Sequence, residues 1–318
     1  MTKKYFVTGG AGFLGSAIID ILIKNKFQIV CYDNSSRGNR SKLEKNINFI
    51  DFIEGDIRDE QKLIDSSKGC DGIIHLAFVN GTEHFYNNPR LVLDVGIKGM
   101  QNVLSASKIN NIEELILASS SEVYQSPAKI PTPEDVPLIV PNAFNPRYSY
   151  GSAKIISEML SIHSDNLFKR MIIFRPHNVY GPNMGNEHVV PQLINRLKNL
   201  IKMNANSELL EFPIRGDGNQ TRSFNYIDDF TQGVLSIIKY GLHNNIYHIG
   251  DDKEFYIKDV VKMIAKIMNA SVKIKTSSAP EGETNRRCPD ISKMKKLGYL
   301  PKVSLEDGLK ITTEWYCK

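Results

Sequence analysis

The stretch GGAGFLG, Gly9 to Gly15, constrains this chain more tightly than any other seven residues. It holds G-x-G-x-x-G as Gly10, Gly12 and Gly15, directly after the apolar run Tyr5 to Thr8 and directly before a helix-forming stretch, Ser16 to Lys24. Strand, glycine turn and helix in that order make the entry to a dinucleotide-binding unit. Glycines permit the tight turn and let backbone approach a pyrophosphate, whose charge then meets the N-terminal end of the helix. Gly9, Gly10, Gly12, Phe13, Leu14 and Gly15 are therefore the candidate phosphate-binding turn. Asp33 stands eighteen residues after Gly15, ending the second apolar run in QIVCYDN, with Asn34 beside it in the same candidate site. A carboxylate there can accept hydrogen bonds from both adenosine ribose hydroxyls and repels a 2'-phosphate, which favours NAD over NADP. Arg37 lies close by and weakens that preference. Asp56 and Ile57, in EGDIRD after the third strand, are placed to flank the adenine, although Asp56 by itself reads more readily as a turn residue.

Short apolar runs continue to alternate with longer amphipathic stretches. Tyr5 to Thr8, Gln28 to Tyr32, Asn48 to Ile53, Gly72 to Phe78, Glu114 to Ala118 and Met171 to Phe174 read as strands. That rhythm predicts an α/β fold, a doubly wound parallel sheet covered by helices on both faces. Six prolines in the twenty residues Pro127 to Pro146 predict a long loop beside the site. Beyond Pro176 the rhythm loosens and individual strands cannot be placed.

Composition excludes several classes. A chain of 318 residues, 41% hydrophobic and 24% charged, is large enough for one big domain and a smaller one. The start, MTKKYFVTGG, has no apolar core and small-residue cleavage site of a signal peptide, and no stretch is long enough to cross a membrane. Cys31, Cys70, Cys288 and Cys317 lie far apart without C-x-x-C spacing, so no zinc site, no other metal site and no disulfide framework is expected. A cytoplasmic location follows. The net charge of +5 forms no basic run of the kind that binds nucleic acid.

RYSYGSAK contains Tyr150 and Lys154 as Y-x-x-x-K, a spacing that puts both side chains on one face of a helix. Free tyrosine, with a pKa near ~10, is a poor base at neutral pH, and a cationic neighbour favours its phenolate. With 13 tyrosines in the chain the spacing alone proves nothing, and a surface helix with a solvated lysine would show it too. Its position about thirty residues after LASSSEVYQ, in a chain already read as dinucleotide-binding, gives it weight.

With these motifs together, the sequence resembles the extended short-chain dehydrogenase/reductase family acting on nucleotide sugars: UDP-galactose 4-epimerase, nucleotide-sugar 4,6-dehydratases and UDP-glucuronate decarboxylases. The resemblance covers nearly the whole chain. It implies that Ser120 hydrogen-bonds the sugar C4 hydroxyl, that Tyr150 takes its proton while hydride passes to NAD, and that Lys154 holds the nicotinamide ribose. It implies that Leu76 and Ala77, in HLAF, line the cofactor. In FRPHNVYGP it places Asn178 on the substrate, and in GDGNQTRSFNYIDD and NRRCPDISKMKKLGY it places Arg222 and Arg287 on the diphosphate, where guanidinium forks suit phosphate oxygens. Asn178 also reads as a turn residue, and each arginine as an exposed ion-pair partner.

Glu122 follows Ser121, a further substrate candidate. In the dehydratases of this family a glutamate here takes the C5 proton once C4 is a ketone; simple 4-epimerases usually carry a small or neutral residue. The serine at 121 stands where many dehydratases place an acid. The other reading of Glu122 is a turn cap or a lysine partner. Two departures touch the sugar pocket: GIKGM, Gly96 to Met100, replaces the family's N-V-x-G-T, and Gln125 replaces a glycine.

The expectation is a Rossmann domain of residues 1–175 plus about 225–250, and a smaller C-terminal nucleotide-sugar lobe of 176–224 and 251–318. Oxidation at C4 is the shared first step. An NDP-hexose or NDP-hexuronate 4-epimerase is narrowly favoured over a 4,6-dehydratase using Glu122, an NDP-glucuronate decarboxylase or a 4-keto-sugar reductase. A non-catalytic dinucleotide sensor is the competing class, and such proteins typically lose the Tyr and Lys pair. The resemblance also implies a homodimer through the helices after the fourth and fifth strands.

Overall fold

The computed structural model describes residues 2–204, 208–277 and 284–318. The first half lays down six strands: β1 (Lys4–Thr8), β2 (Gln28–Asp33), β3 (Ile50–Glu54), β4 (Gly72–His75), β5 (Glu114–Ala118) and β6 (Arg170–Pro176). Between them run α1 (Phe13–Lys24), α2 (Glu60–Ser66), α3 (Thr82–Asn87), α4 (Pro89–Asn110) and α5 (Ser149–Ile162). The chain then forms β7 (Val179–Tyr180), α6 (Val189–Met203), β8 (Leu210–Arg215), β9 (Thr221–Ser223) and β10 (Asn225–Tyr226). Next α7 (Ile227–Tyr240) returns it to the main sheet as β11 (Asn245–Ile249). Last come β12 (Glu254–Tyr256), α8 (Ile257–Ile267), β13 (Val272–Ser277), β14 (Arg286–Arg287), α9 (Ser292–Lys296) and α10 (Leu305–Cys317).

The main sheet has seven strands in the order β11-β6-β5-β4-β1-β2-β3, every pair parallel. This is the doubly wound fold that the alternation predicts, and its central strands read as unbroken apolar runs because helices cover both faces. On one face Phe6, Ile73, Leu115, Leu117 and Ile173 pack under α4 and α5; on the other Val7, Ile74, Ile116, Ile172 and Phe174 pack under α1 and α7. Chain order reverses between β1 and β4, which opens a crevice at their carboxyl ends, the usual ligand position in such sheets.

Strand edges differ from the sequence expectation for local reasons. β4 stops at His75, not Phe78: the Leu76 N–H still reaches the Thr8 carbonyl at 3.1 Å, but the Ala77 N–H turns to the Thr8 hydroxyl, 3.3 Å away, and the chain leaves the sheet at the reversal point. β3 starts at Ile50 because Arg40 to Phe49 coils into 3-10 turns. The C-terminal strands pair as β10 with β7, β13 with β8, and β12-β9-β14. Several are only two or three residues long, too short for hydrophobic periodicity to reveal.

Candidate functional site

The glycine turn is packed so closely that side chains are excluded from it. A Cβ on Gly15 would lie 2.2 Å from the Gly9 carbonyl oxygen, and one on Gly9, whose φ is +71°, would lie 2.7 Å from the Ala77 nitrogen. Gly12 begins α1 with no side chain capping the helix and no acidic residue in its first turn, so its leading N–H groups face outward. Asp33 accepts from the Ala11 N–H at 2.9 Å through one oxygen and from the Ser35 N–H at 2.8 Å through the other, leaving a lone pair on each. Burial raises its carboxyl pKa, against those two hydrogen bonds. A bare turn, an uncapped helix end and a carboxylate at the end of β2 fit NAD. Arg37, which weakened that preference in the sequence, is bonded to Glu187.

The remaining cofactor candidates are placed as follows. Asp56 is gripped by Arg58 and Asn34, and the Arg58 hydrogen bonds bring its carboxyl down to about 2. Ile57 turns its side chain inward against Gly99. His75 bonds the Thr8 hydroxyl at 2.8 Å, and burial lowers it to about 3, so it is neutral.

Ser120 ends β5 and caps the 3-10 turn Ser121–Tyr124, its hydroxyl accepting from the Glu122 N–H at 3.1 Å. The same hydroxyl lies close enough to the Tyr150 phenol to lower its pKa. Tyr150 sits in the first turn of α5, with Phe85 stacked at 4.9 Å and Phe78 edge-on at 5.1 Å. Burial pushes its phenol up to about 12, more than the neighbouring Ser120 hydroxyl lowers it. Lys154, one turn on, is 3% exposed and donates to the Ala118 carbonyl at 2.6 Å. Burial brings it down to about 7. Its ammonium lies 5.8 Å from the Tyr150 ring centroid and 3.9 Å from that of Phe78. Burial is the largest influence on the Tyr150 phenol, ahead of the lowering by Ser120 and Arg37.

Glu122 and Arg287 come from segments 165 residues apart and meet at 2.7 Å, with Arg147 at 3.9 Å on the other carboxylate oxygen. Burial would raise this carboxyl, but Arg287, with Arg147 and Arg222 beyond it, prevails and holds it below its ordinary value. Arg287 also donates to the Thr284 hydroxyl at 3.1 Å, while its Nε is buried without a partner among the described residues. Arg222 donates to the Thr284 and Asn285 carbonyls at 2.6 and 3.2 Å. Asn178, at φ +37°, donates to the Ser223 carbonyl at 2.8 Å. Ser121 is buried in the turn, and Ser119 Oγ is buried without a partner among the described residues.

This geometry matches a known family. The model of the NAD dependent epimerase/dehydratase family matches residues 5–250. The chain belongs to that family. It is an NAD-dependent enzyme. UDP-glucuronic acid decarboxylase 3 of Arabidopsis thaliana is 31% identical over 98% of this chain and 88% of its own length. A dTDP-glucose 4,6-dehydratase from Streptomyces venezuelae, crystallised with NAD, superposes with a TM-score of 0.86 at 26% identity, covering 99% of this chain and 97% of that one. A UDP-glucose 4-epimerase from Thermotoga maritima, crystallised with UDP-glucose, gives 0.85 at 29%, covering 99% and 98%.

Four neighbours of the site escaped the sequence reading. Arg147 lies inside the quoted RYSYGSAK and was available to it. His177 likewise lies inside the quoted FRPHNVYGP, whereas Phe85 and Thr284 lie in no quoted stretch and depend on distant contacts. Both His177 ring nitrogens are buried without a partner among the described residues, and burial, with His248 and Arg287 nearby, keeps the ring neutral.

Proposed function

We propose that this enzyme is a nucleotide-diphosphate-sugar 4-epimerase acting on a hexose or hexuronate through oxidation at C4. The single observation that carries the choice is the Glu122 to Arg287 ion pair. A 4,6-dehydratase needs a strong base at C5 and an acid for the C6 hydroxyl. Here the carboxylate is weakened as a base by Arg287, and its neighbour is Ser121. The C4 step needs neither. Tyr150 receives the C4 hydroxyl proton, Ser120 shares its hydrogen bond with phenol and sugar, and Lys154 supplies the positive field that the phenolate requires. Bound NAD supplies a hydride acceptor and a positively charged ring. Return of hydride to the other face after the ketone turns inverts C4.

Residues 1–175 and about 225–250 bind NAD in this account, with Gly9, Gly10, Gly12, Phe13, Leu14, Gly15, Asp33, Asn34, Asp56, Ile57, Leu76 and Ala77 at the cofactor. Residues 176–224 and 251–318 bind the nucleotide sugar, with Ser121, Asn178, Arg222 and Arg287 toward it. A homodimer through α4 and α5 is supported by Leu91 and Ile109 on α4 and Ile156, Met159 and Ile162 on α5, all large apolar side chains left exposed.

A second reading is favoured by the same cluster. Arg287 and Arg147 beside Glu122 would hold a sugar carboxylate at C6, and a 4-keto-uronate loses carbon dioxide without any base, since the ketone takes the electrons. The test is to incubate the protein and NAD with UDP-, GDP-, CDP- and dTDP-hexoses and the matching uronates. Unchanged mass with a new C4 configuration in the proton spectrum is the expected result. Loss of water would establish dehydration, loss of carbon dioxide the second reading, and either would defeat epimerisation.

A further inference from the structure

Phe78 and Gly96 carry an inference beyond this reading, although it rests on Lys154 being the cation beside Tyr150. A Cβ on Gly96 would fall 2.4 Å from Cζ of Phe78 and 2.9 Å from the Ala153 Cβ. Only glycine lets the aromatic ring seat between α4 and α5. The seated ring then presents a face to Lys154, whose ammonium is 3.9 Å from the centroid.

That ammonium is buried and has three N–H directions. One goes to the Ala118 carbonyl of β5 at 2.6 Å. The other charged or titratable groups around it are few. From its own helix come Tyr150 and Glu158; the Glu158 carboxylate is occupied by Arg175, at 2.8 and 2.6 Å. From β4 comes His75, neutral and held by Thr8. Glu158 favours the charged lysine, and burial disfavours it more. A π face on a desolvated ammonium is a strong contact of its kind.

We propose that Phe78 is the positioning residue of Lys154: its ring takes one ammonium direction by a cation–π contact, made possible by Gly96, and keeps the buried charge aimed beside Tyr150. The chain lacks an asparagine at 96, and the aromatic ring of Phe78 occupies that ground.

Fluorinated phenylalanines test this with little change of shape, because each fluorine drains electron density from the ring face. The full-length protein is made with phenylalanine, 4-fluorophenylalanine and 3,4,5-trifluorophenylalanine at position 78. Lys154 titration is read in each by competitive acetylation across pH and peptide mass. The expected result is a stepwise fall in the pH at which Lys154 loses its proton, about one pH unit across the series. The alkaline limit of turnover should fall in parallel. Phe78→Leu, which keeps apolar volume without a π face, should match the trifluoro protein. An identical Lys154 titration across the three rings would overturn the proposal. Because acetylation needs no substrate, that outcome is separate from failure to find turnover on any nucleotide sugar, which would instead defeat the proposed function.

Discussion

At the scale of single residues, the site is built from groups that the fold holds against their solution preferences. Lys154 carries a charge in a place that burial makes hostile to it, and Tyr150 is a phenol that burial makes reluctant to ionise. The lysine's folded value of about 7 lies below its ordinary 10.5. Between those limits the unfolded chain binds more protons than the folded one, so this group's cost is full below about pH 7 and is relieved as pH rises toward 10.5. Lys154→Met should therefore abolish turnover yet raise the melting temperature measured without NAD, with a larger gain at pH 6.5 than at pH 10. An equal gain at both would show that Lys154 is not paying for burial of its charge. Tyr150→Phe should lower kcat by about 10²–10⁴-fold, with NAD affinity by calorimetry retained. Unchanged turnover would remove Tyr150 from the chemistry.

At the scale of elements, α5 delivers Tyr150, Lys154 and Glu158 on successive turns of one face. Glu158 is clamped by Arg175 of β6, itself 2% exposed, whose guanidinium also reaches the Tyr124 hydroxyl and, at 3.0 Å, the Glu134 carbonyl in the proline-rich loop. The Tyr124 hydroxyl bonds His248 of β11 at 2.6 Å. One buried ion pair thus ties the helix with the reacting groups to β6, to the turn after β5 and to β11. Removing one partner strands the other charge: Glu158→Gln should cost about 3–5 kcal/mol in urea unfolding. Replacing both, as Glu158→Gln with Arg175→Met, should recover most of it. A single variant as stable as the wild type would show the pair to be energetically idle. What sequence made legible at this scale was local. The glycine turn, Asp33, the Tyr150 and Lys154 spacing and the bounds of β5 all depend on neighbours within a few positions. Glu122 with Arg287, and Phe78 with Gly96, depend on contacts between separate segments, and no periodicity reports them.

At the scale of the whole molecule, the order reversal between β1 and β4 fixes where the chemistry sits, and β11 completes the sheet from far along the chain. The strands before and after β11 are too short to read from alternation. The exposed apolar side chains of α4 and α5 predict a dimer. Met159→Glu, at a position 51% exposed, should shift the sedimenting species from dimer to monomer with the fold kept. A monomeric wild-type protein would contradict that interface. The central claim is oxidation and reduction at C4 with return of the same hydrogen, and a substrate deuterated at C4 tests it most directly. With UDP-hexose or UDP-hexuronate so labelled, the expected product has unchanged mass, with inverted C4 and deuterium still on C4. Deuterium found at C6 with loss of water, or exchanged into solvent, would contradict it.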